Sequence, residues 1–242
     1  AGMVLCNLAL WLVTCVPIRR HLLRGVDGPG HVHQLSLAHM FPVFLANLAF
    51  TVLTQADMIL VARYFPAHEV GMYAAAAILG RSVMYVPGAF VQAIFPMVSD
   101  HQSRNLDSRH LLFKALGATL CLSGFGAVLF FLFPSLLIKV FFGVRYVEAA
   151  PILRYFGPAM LPMAALMVLM NYAIAKGERR FSYVMALGAL LEVAFICFHH
   201  DSLLKVVFVV MVVGVFLIAA GLGAMERRTP RQAEKAADGA RR

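Results

Sequence analysis

Hydrophobic runs long enough to cross a membrane alternate with short polar segments along almost the whole chain. No charged residue occurs from Ala1 to Ile18 or from Val206 to Met225, and a helix of about 20 apolar residues crosses a hydrocarbon layer about 30 Å thick. Helices are expected because no alternating pattern typical of a membrane β-barrel is present. The pattern predicts seven hydrophobic helices, at residues 1–18, 40–65, 70–98, 111–133, 148–175, 181–198 and 203–225.

Composition indicates the same class, an all-α integral membrane protein. Hydrophobic residues make up 61% of the 242 residues and charged residues 14%, with a mean hydropathy of +0.80, whereas a soluble domain is about 45–50% apolar. The four cysteines lie in apolar runs without ligand-type spacing, so neither disulfides nor a metal site is expected. The sequence also lacks a phosphate-binding loop and a nucleophile elbow, and no cofactor is predicted.

The basic residues lie mainly on one side of the predicted spans. Most of the 21 Lys and Arg residues flank the connections after the first, third and fifth spans or lie in the tail, and the opposite side carries Arg63, Lys139, Arg145 and Lys205. Because cytoplasmic loops are rich in Lys and Arg, the sequence predicts residue 1 outside and the carboxyl end in the cytoplasm. This bias accounts for the net charge of +9 without a nucleic-acid partner.

Several polar residues lie within the predicted spans, where a charge costs about 2.5–3.5 kcal/mol. They are Asn47, Thr51, Thr54 and Asp57 on one arc of the second span, Arg81, Tyr85 and Gln92 on one stripe of the third, Arg154 in the fifth and Glu192 in the sixth. Two interpretations stay open for Asp57, Arg81 and Glu192: a charge pair that holds helices together, with Asp57 and Arg81 as the obvious partners, or part of a polar transport path. Arg154 lies near a span end and can also extend its side chain to the interface.

Three stretches resemble a known family. DMILVARYFPAHEVGMYAAAAILGRSVMYVPGAFVQAIFPMVSD resembles the seventh and eighth helices of polysaccharide and lipid-linked oligosaccharide flippases of the multidrug/oligosaccharidyl-lipid/polysaccharide exporter superfamily. The matching elements are Asp57, Glu69-Val70-Gly71, Tyr73, Arg81, Pro87 and Phe95-Pro96. PSLLIKVFFGVRYVEAAPILRYFGPAM and AKGERRFSYVMALGALL are similar to later helices, so that the resemblance covers roughly residues 40–225 in the family's order.

The resemblance implies two pseudo-symmetric helix bundles around a cavity that opens alternately to each side of the cytoplasmic membrane. On this basis residues 1–18 are the last helix of the N-terminal bundle and residues 19–39 are a cytoplasmic linker. Residues 40–225 are then the C-terminal six-helix bundle, and residues 226–242 are a disordered basic tail. The chain is expected to be a C-terminal fragment whose partners are the lipid bilayer and the missing N-terminal bundle.

The resemblance implies a transporter and not an enzyme: a flippase for a polyprenyl-linked oligosaccharide or polysaccharide precursor. Arg81 and Arg154 would attract its pyrophosphate or acidic sugars, and Asp57 and Glu192 would bind a coupling proton or cation or neutralise the arginines. The residues expected to hydrogen-bond sugar hydroxyls are Asn47, Thr51, Thr54, Tyr85 and Gln92. The alternatives are a multidrug or cation antiporter of the same superfamily and a membrane enzyme that acts on a lipid-linked sugar.

Overall fold

The structure, a computed structural model, describes residues 37–103, 109–199 and 201–226. A 3-10 helix at Val144–Ala149 precedes the fifth of its α-helices. The α-helices are α1 (Leu37–Tyr64), α2 (Ala67–Ser103), α3 (Arg109–Leu132), α4 (Pro134–Phe142), α5 (Ala150–Ala175), α6 (Arg179–Phe198) and α7 (Leu203–Glu226). These ranges contain no β-strand, which confirms the all-α class. The helix predicted at residues 1–18, the linker up to residue 36 and the tail after residue 226 lie outside the described residues.

Six helical stretches are long and apolar enough to cross a membrane, from Phe41–Tyr64 to Leu203–Gly223. They correspond to the six spans predicted between residues 40 and 225, and the protein is therefore a multi-pass membrane protein. The pattern did not predict α4, because its nine residues are too few to cross the bilayer and were assigned to a connection.

Two glycines with positive φ mark where helices end. Gly143, at φ 87°, follows α4. Gly177, at φ 67°, follows α5, and its N–H donates to the carbonyl of Ile174 at 3.0 Å. The next N–H, that of Glu178, reaches back to the carbonyl of Ala173 at 2.9 Å. This pairing closes the carbonyl end of the helix and requires a residue that tolerates the left-handed conformation.

Helix α5 lies at the centre of the bundle, in contact with α2, α3 and α7, while α1 packs mainly on α6. Close approach depends on glycine: a Cβ at Gly157 would lie 3.0 Å from Cβ of Phe130, and one at Gly214 would lie 2.9 Å from Cβ of Pro162. Lipid tails are as apolar as these side chains, so tight van der Waals packing between small residues is a main source of helix association.

The α1–α2, α3–α5 and α6–α7 connections meet at one end of the bundle, which we call the distal end. Residues of all three connections line one cleft there, among them Phe65, Glu148 and Asp201. The helices therefore alternate in direction, and depth in the bundle can be measured from this end.

Candidate functional site

A buried ion pair joins α1 to α2. Asp57 is 1% exposed, and Arg81 donates to it with 2.6 Å between Nη2 and Oδ1. The hydroxyl of Tyr73 donates to the other oxygen, Oδ2, at 2.8 Å. The pair predicted from the sequence is present, and both carboxylate oxygens of Asp57 have a donor, as a charge in a low-dielectric interior requires.

Phe156 of α5 forms the apolar wall of this cluster. Its ring meets the ring of Tyr73 edge to face, with centroids 5.6 Å apart and planes at 71°, and the guanidinium of Arg81 lies 5.9 Å from its centroid. A Cβ at Gly80 would lie 3.0 Å from Cγ of Phe156. Glycine at position 80 therefore lets the ring approach α2 closely enough to pack against both the arginine and the tyrosine.

Glu192 of α6 completes this group, and we call Asp57, Tyr73, Arg81 and Glu192 the charge cluster. Its side chain is fully buried and interacts electrostatically with both Asp57 and Arg81. Within the part of the chain that the structure describes, no donor reaches either carboxyl oxygen of Glu192, and no acceptor reaches Nε of Arg81. The group thus holds two carboxyl groups and one guanidinium, and only one of the two carboxyl groups is hydrogen-bonded to it.

Asp57, Tyr73 and Glu192 lie at a similar depth in the bundle. Asp57 precedes the end of α1 at Tyr64, Tyr73 follows the start of α2 at Ala67, and Glu192 precedes the end of α6. At 1.5 Å per residue each lies about 9–11 Å from the distal end of its helix. A group at that depth lies inside the hydrocarbon layer, where only protein or enclosed water can solvate it.

A second polar group lies on the surface of α1 and α2, and we call it the polar strip: Asn47, Thr51, Gln55 and Tyr85. Asn47 and Thr51 are exposed, Gln55 is half-buried and Tyr85 is 51% exposed. The amide Nε2 of Gln55 donates to the hydroxyl of Tyr85 at 3.4 Å, across the two helices. Thr51 lies near the middle of the span Phe41–Tyr64, so the strip is exposed at a depth where lipid would not solvate it.

The polar strip makes limited use of its hydrogen-bonding capacity within α1. Nδ2 of Asn47 donates to the carbonyl of Val43 at 2.8 Å, and the hydroxyl of Thr51 donates to the carbonyl of Asn47 at 2.9 Å. Such bonds to the preceding turn lower the cost of a polar side chain in a membrane helix. Each side chain keeps an oxygen that can still accept a hydrogen bond.

Comparison with known proteins decides the family. A family model described as "polysaccharide biosynthesis protein" matches residues 9–151, more than half of the chain. The chain belongs to this polysaccharide biosynthesis family. No curated protein and no solved structure matches it. The match includes α1 to α4, and with them the polar strip and the Asp57–Arg81 pair.

The structure of this family member does not bring all the predicted site residues together. Thr54 is buried and bonds to the carbonyl of Phe50 at 2.9 Å, so it lies behind the strip. Arg154 is exposed, and at 100° per residue it lies about 160° around α5 from Phe156, which faces Arg81. It therefore lies away from the charge cluster. Gln92 belongs to α2, but its side chain lies outside the described residues.

A cleft of about 320 Å³ opens at the distal end of the bundle. His68 and Glu148 approach to 3.8 Å on its wall, and both side chains are largely exposed. Asp201, also on the wall, pairs with Lys205 at 2.5 Å. Sequence reasoning missed this grouping because its members come from three connections with no shared spacing. Among the described residues no set of three His, Cys, Asp or Glu side chains is arranged to hold a metal ion.

Proposed function

We propose that the protein is part of a flippase that moves a polyprenyl-linked glycan precursor across the cytoplasmic membrane by alternating access. It would belong to the multidrug/oligosaccharidyl-lipid/polysaccharide exporter superfamily and carry out no covalent chemistry. Residues 37–226 would form one of its two bundles, with the distal end outside the cell. Membership of a polysaccharide biosynthesis family and the multi-pass helical fold support this proposal.

The polar strip is the observation that carries the proposal. Amide and hydroxyl groups at the middle of a span are costly against lipid, so the strip faces either a second helix bundle or a wet cavity. Glycan hydroxyls donate and accept hydrogen bonds, and amide and phenol groups such as those of Asn47 and Tyr85 do the same. The strip therefore suits a path on which sugars exchange water for protein partners.

The buried cluster would supply the coupling. With both carboxyl groups ionised, Asp57, Glu192 and Arg81 carry one excess negative charge, which a single proton or monovalent cation neutralises. Both oxygens of Asp57 already accept hydrogen bonds, whereas those of Glu192 do not. Glu192 is therefore the residue at which we place the exchangeable charge.

Arg81 is less available to bind the substrate than the sequence suggests. Its side chain is buried and paired with Asp57 at 2.6 Å. A diphosphate could use its guanidinium only after that pair opens, although the geometry of a guanidinium suits phosphate. The described arrangement favours a structural role for Arg81, and its binding to substrate stays a prediction.

Export of lipid-linked glycan in cells that express the full-length protein tests the proposal. Asn47→Leu and Tyr85→Phe each remove neutral hydrogen bonds from the polar strip, and each is expected to lower the export rate about 2- to 10-fold. Ile59→Ala is the matched control, because Ile59 is a 69% exposed apolar residue of the same helix and its truncation should leave export unchanged.

Three outcomes would contradict the proposed function. Normal export by the Asn47→Leu/Tyr85→Phe double variant, at wild-type expression, would show that the strip is not part of the path. Efflux of cationic dyes without glycan export would favour an antiporter. Formation of a new product from labelled lipid-linked sugar in detergent would favour an enzyme.

A further inference from the structure

Arg154 lies on the outer surface of the bundle near the distal end, against an aromatic side chain. Its guanidinium carbon is 4.6 Å from the ring centroid of Phe131 on α3, and both residues are exposed. The neighbouring Tyr155, 40% exposed, meets Phe208 of α7 with centroids 6.1 Å apart. An arginine held among exposed tyrosine and phenylalanine rings is the composition that membrane proteins place at the membrane–water interface.

The depth of Arg154 agrees with the head-group region. Helix α5 has 26 residues and is about 39 Å long, about 9 Å more than the hydrocarbon layer. Its ends therefore extend beyond that layer. Arg154 lies in the second turn, about 6 Å from the helix start at Ala150, and Phe131 is the residue before the last of α3. Both residues lie at the boundary between hydrocarbon and head groups.

No carboxylate of the described chain neutralises Arg154. In residues 37–103, 109–199 and 201–226, the pairs His68–Glu148, Arg81–Asp57 and Lys205–Asp201 do not include it. A guanidinium at the edge of the bilayer without a protein counter-charge attracts the anion most abundant there, the lipid phosphate. Its planar fork matches two phosphate oxygens, and stacking on Phe131 limits the conformations that binding must fix.

The adjoining segment is also cationic and apolar. Lys139 of α4 and Arg145 of the 3-10 helix are exposed and pair with no carboxylate among the described residues. Exposed apolar side chains surround them, and Ile138 anchors α4 in the core. A cationic and apolar surface of this kind is attracted to anionic lipid when it lies at the membrane interface.

We propose that Arg154, stacked on Phe131, binds the phosphate of an anionic membrane phospholipid at the distal interface, with Lys139 and Arg145 increasing the local attraction. The site lies away from the charge cluster and does not depend on the transport function. It requires only the membrane-spanning fold and the exposed Arg154–Phe131 contact.

Lipid selectivity of the full chain reconstituted in phosphatidylcholine vesicles tests the site, with spin-labelled phosphatidylglycerol as the probe. Wild type is expected to prefer phosphatidylglycerol to phosphatidylcholine, and Arg154→Gln to lower that preference about fivefold. Phe131→Leu should lower it about two- to fivefold, and Arg154→Lys should be intermediate, because it keeps the charge but loses the planar fork.

Lys205→Gln is the matched control, because it removes one positive charge at the same end of the bundle from a residue that Asp201 already neutralises. Its lipid preference should equal that of the wild type. The proposal is overturned if Arg154→Gln keeps the full preference at a wild-type melting midpoint. It is equally overturned if Lys205→Gln loses as much as Arg154→Gln, since the preference would then follow net charge alone.

Discussion

Removing either member of the buried Asp57–Arg81 pair should destabilise the bundle strongly, and the loss of Arg81 should destabilise it more than the loss of Asp57. Breaking a buried ion pair costs about 3–5 kcal/mol because the remaining charge has no partner. Asp57→Asn leaves Arg81 with the electrostatic attraction of Glu192, so the cost should lie near 3 kcal/mol. Arg81→Met leaves two carboxyl groups without a cation, and its cost should lie near 5 kcal/mol.

Thermal unfolding in detergent, followed by the loss of the monodisperse peak in size-exclusion chromatography, measures this difference. At about 2–4 °C per kcal/mol for a chain of this size, the midpoint should fall by about 6–12 °C for Asp57→Asn and about 10–20 °C for Arg81→Met. The double variant Asp57→Asn/Arg81→Met should lose less than Arg81→Met alone, since it leaves one carboxyl group without a cation and not two.

The matched control is Arg154→Met, which removes an exposed guanidinium and should shift the midpoint by no more than about 4 °C. The reasoning is refuted if Asp57→Asn is more damaging than Arg81→Met, because Glu192 would then provide no alternative partner. Losses that simply add in the double variant would likewise show that the two side chains are not coupled.

Four further substitutions can be followed by the same midpoint. Tyr73→Phe removes the donor to Oδ2 of Asp57 and should cost about 1.5–3 kcal/mol, the range for a hydrogen bond to a charged group. Gly188→Ala would overlap the side chain of Leu217 and should cost about 1–3 kcal/mol, whereas Gly117→Ala, with nothing within 4 Å, should be neutral. Gly177→Ala forces a φ of 67° on a residue with a Cβ and should cost about 1–2 kcal/mol.

The membrane spans were predictable because length and hydropathy alone determine them. Six predicted spans match described helices to within a few residues. The exception is α4, an apolar segment of nine residues whose pattern does not distinguish a short helix from a connection. Its packing, with Ile138 buried and Leu136 and Val140 exposed, becomes visible only in the structure.

The residues of the candidate site were predictable from the sequence. Which of them are exposed and which are buried was not predictable. Periodicity placed Asn47, Thr51, Thr54 and Asp57 on one polar arc, yet the first two are exposed and the last two are buried. Steps of three and four residues rotate in opposite directions around a helix, so one arc extends from the surface to the core. Which end of it is covered depends on α2 and α6, and no pattern within α1 contains that information.

The same helix therefore links the two polar groups. Gln55 and Asp57 lie about 160° apart around α1, with Gln55 bonded to Tyr85 in the polar strip and Asp57 bonded to Tyr73 and Arg81 in the cluster. Because α1 packs mainly on α6, which carries Glu192, the change of charge proposed at Glu192 would act on the helix against which α1 packs. Rotation of α1 would alter the Asp57 pair and the exposure of the strip together. In the proposed transport cycle, α1 would therefore couple ion binding to substrate access by rotating as a rigid helix. One of its faces lies in the charge cluster and the other in the polar strip.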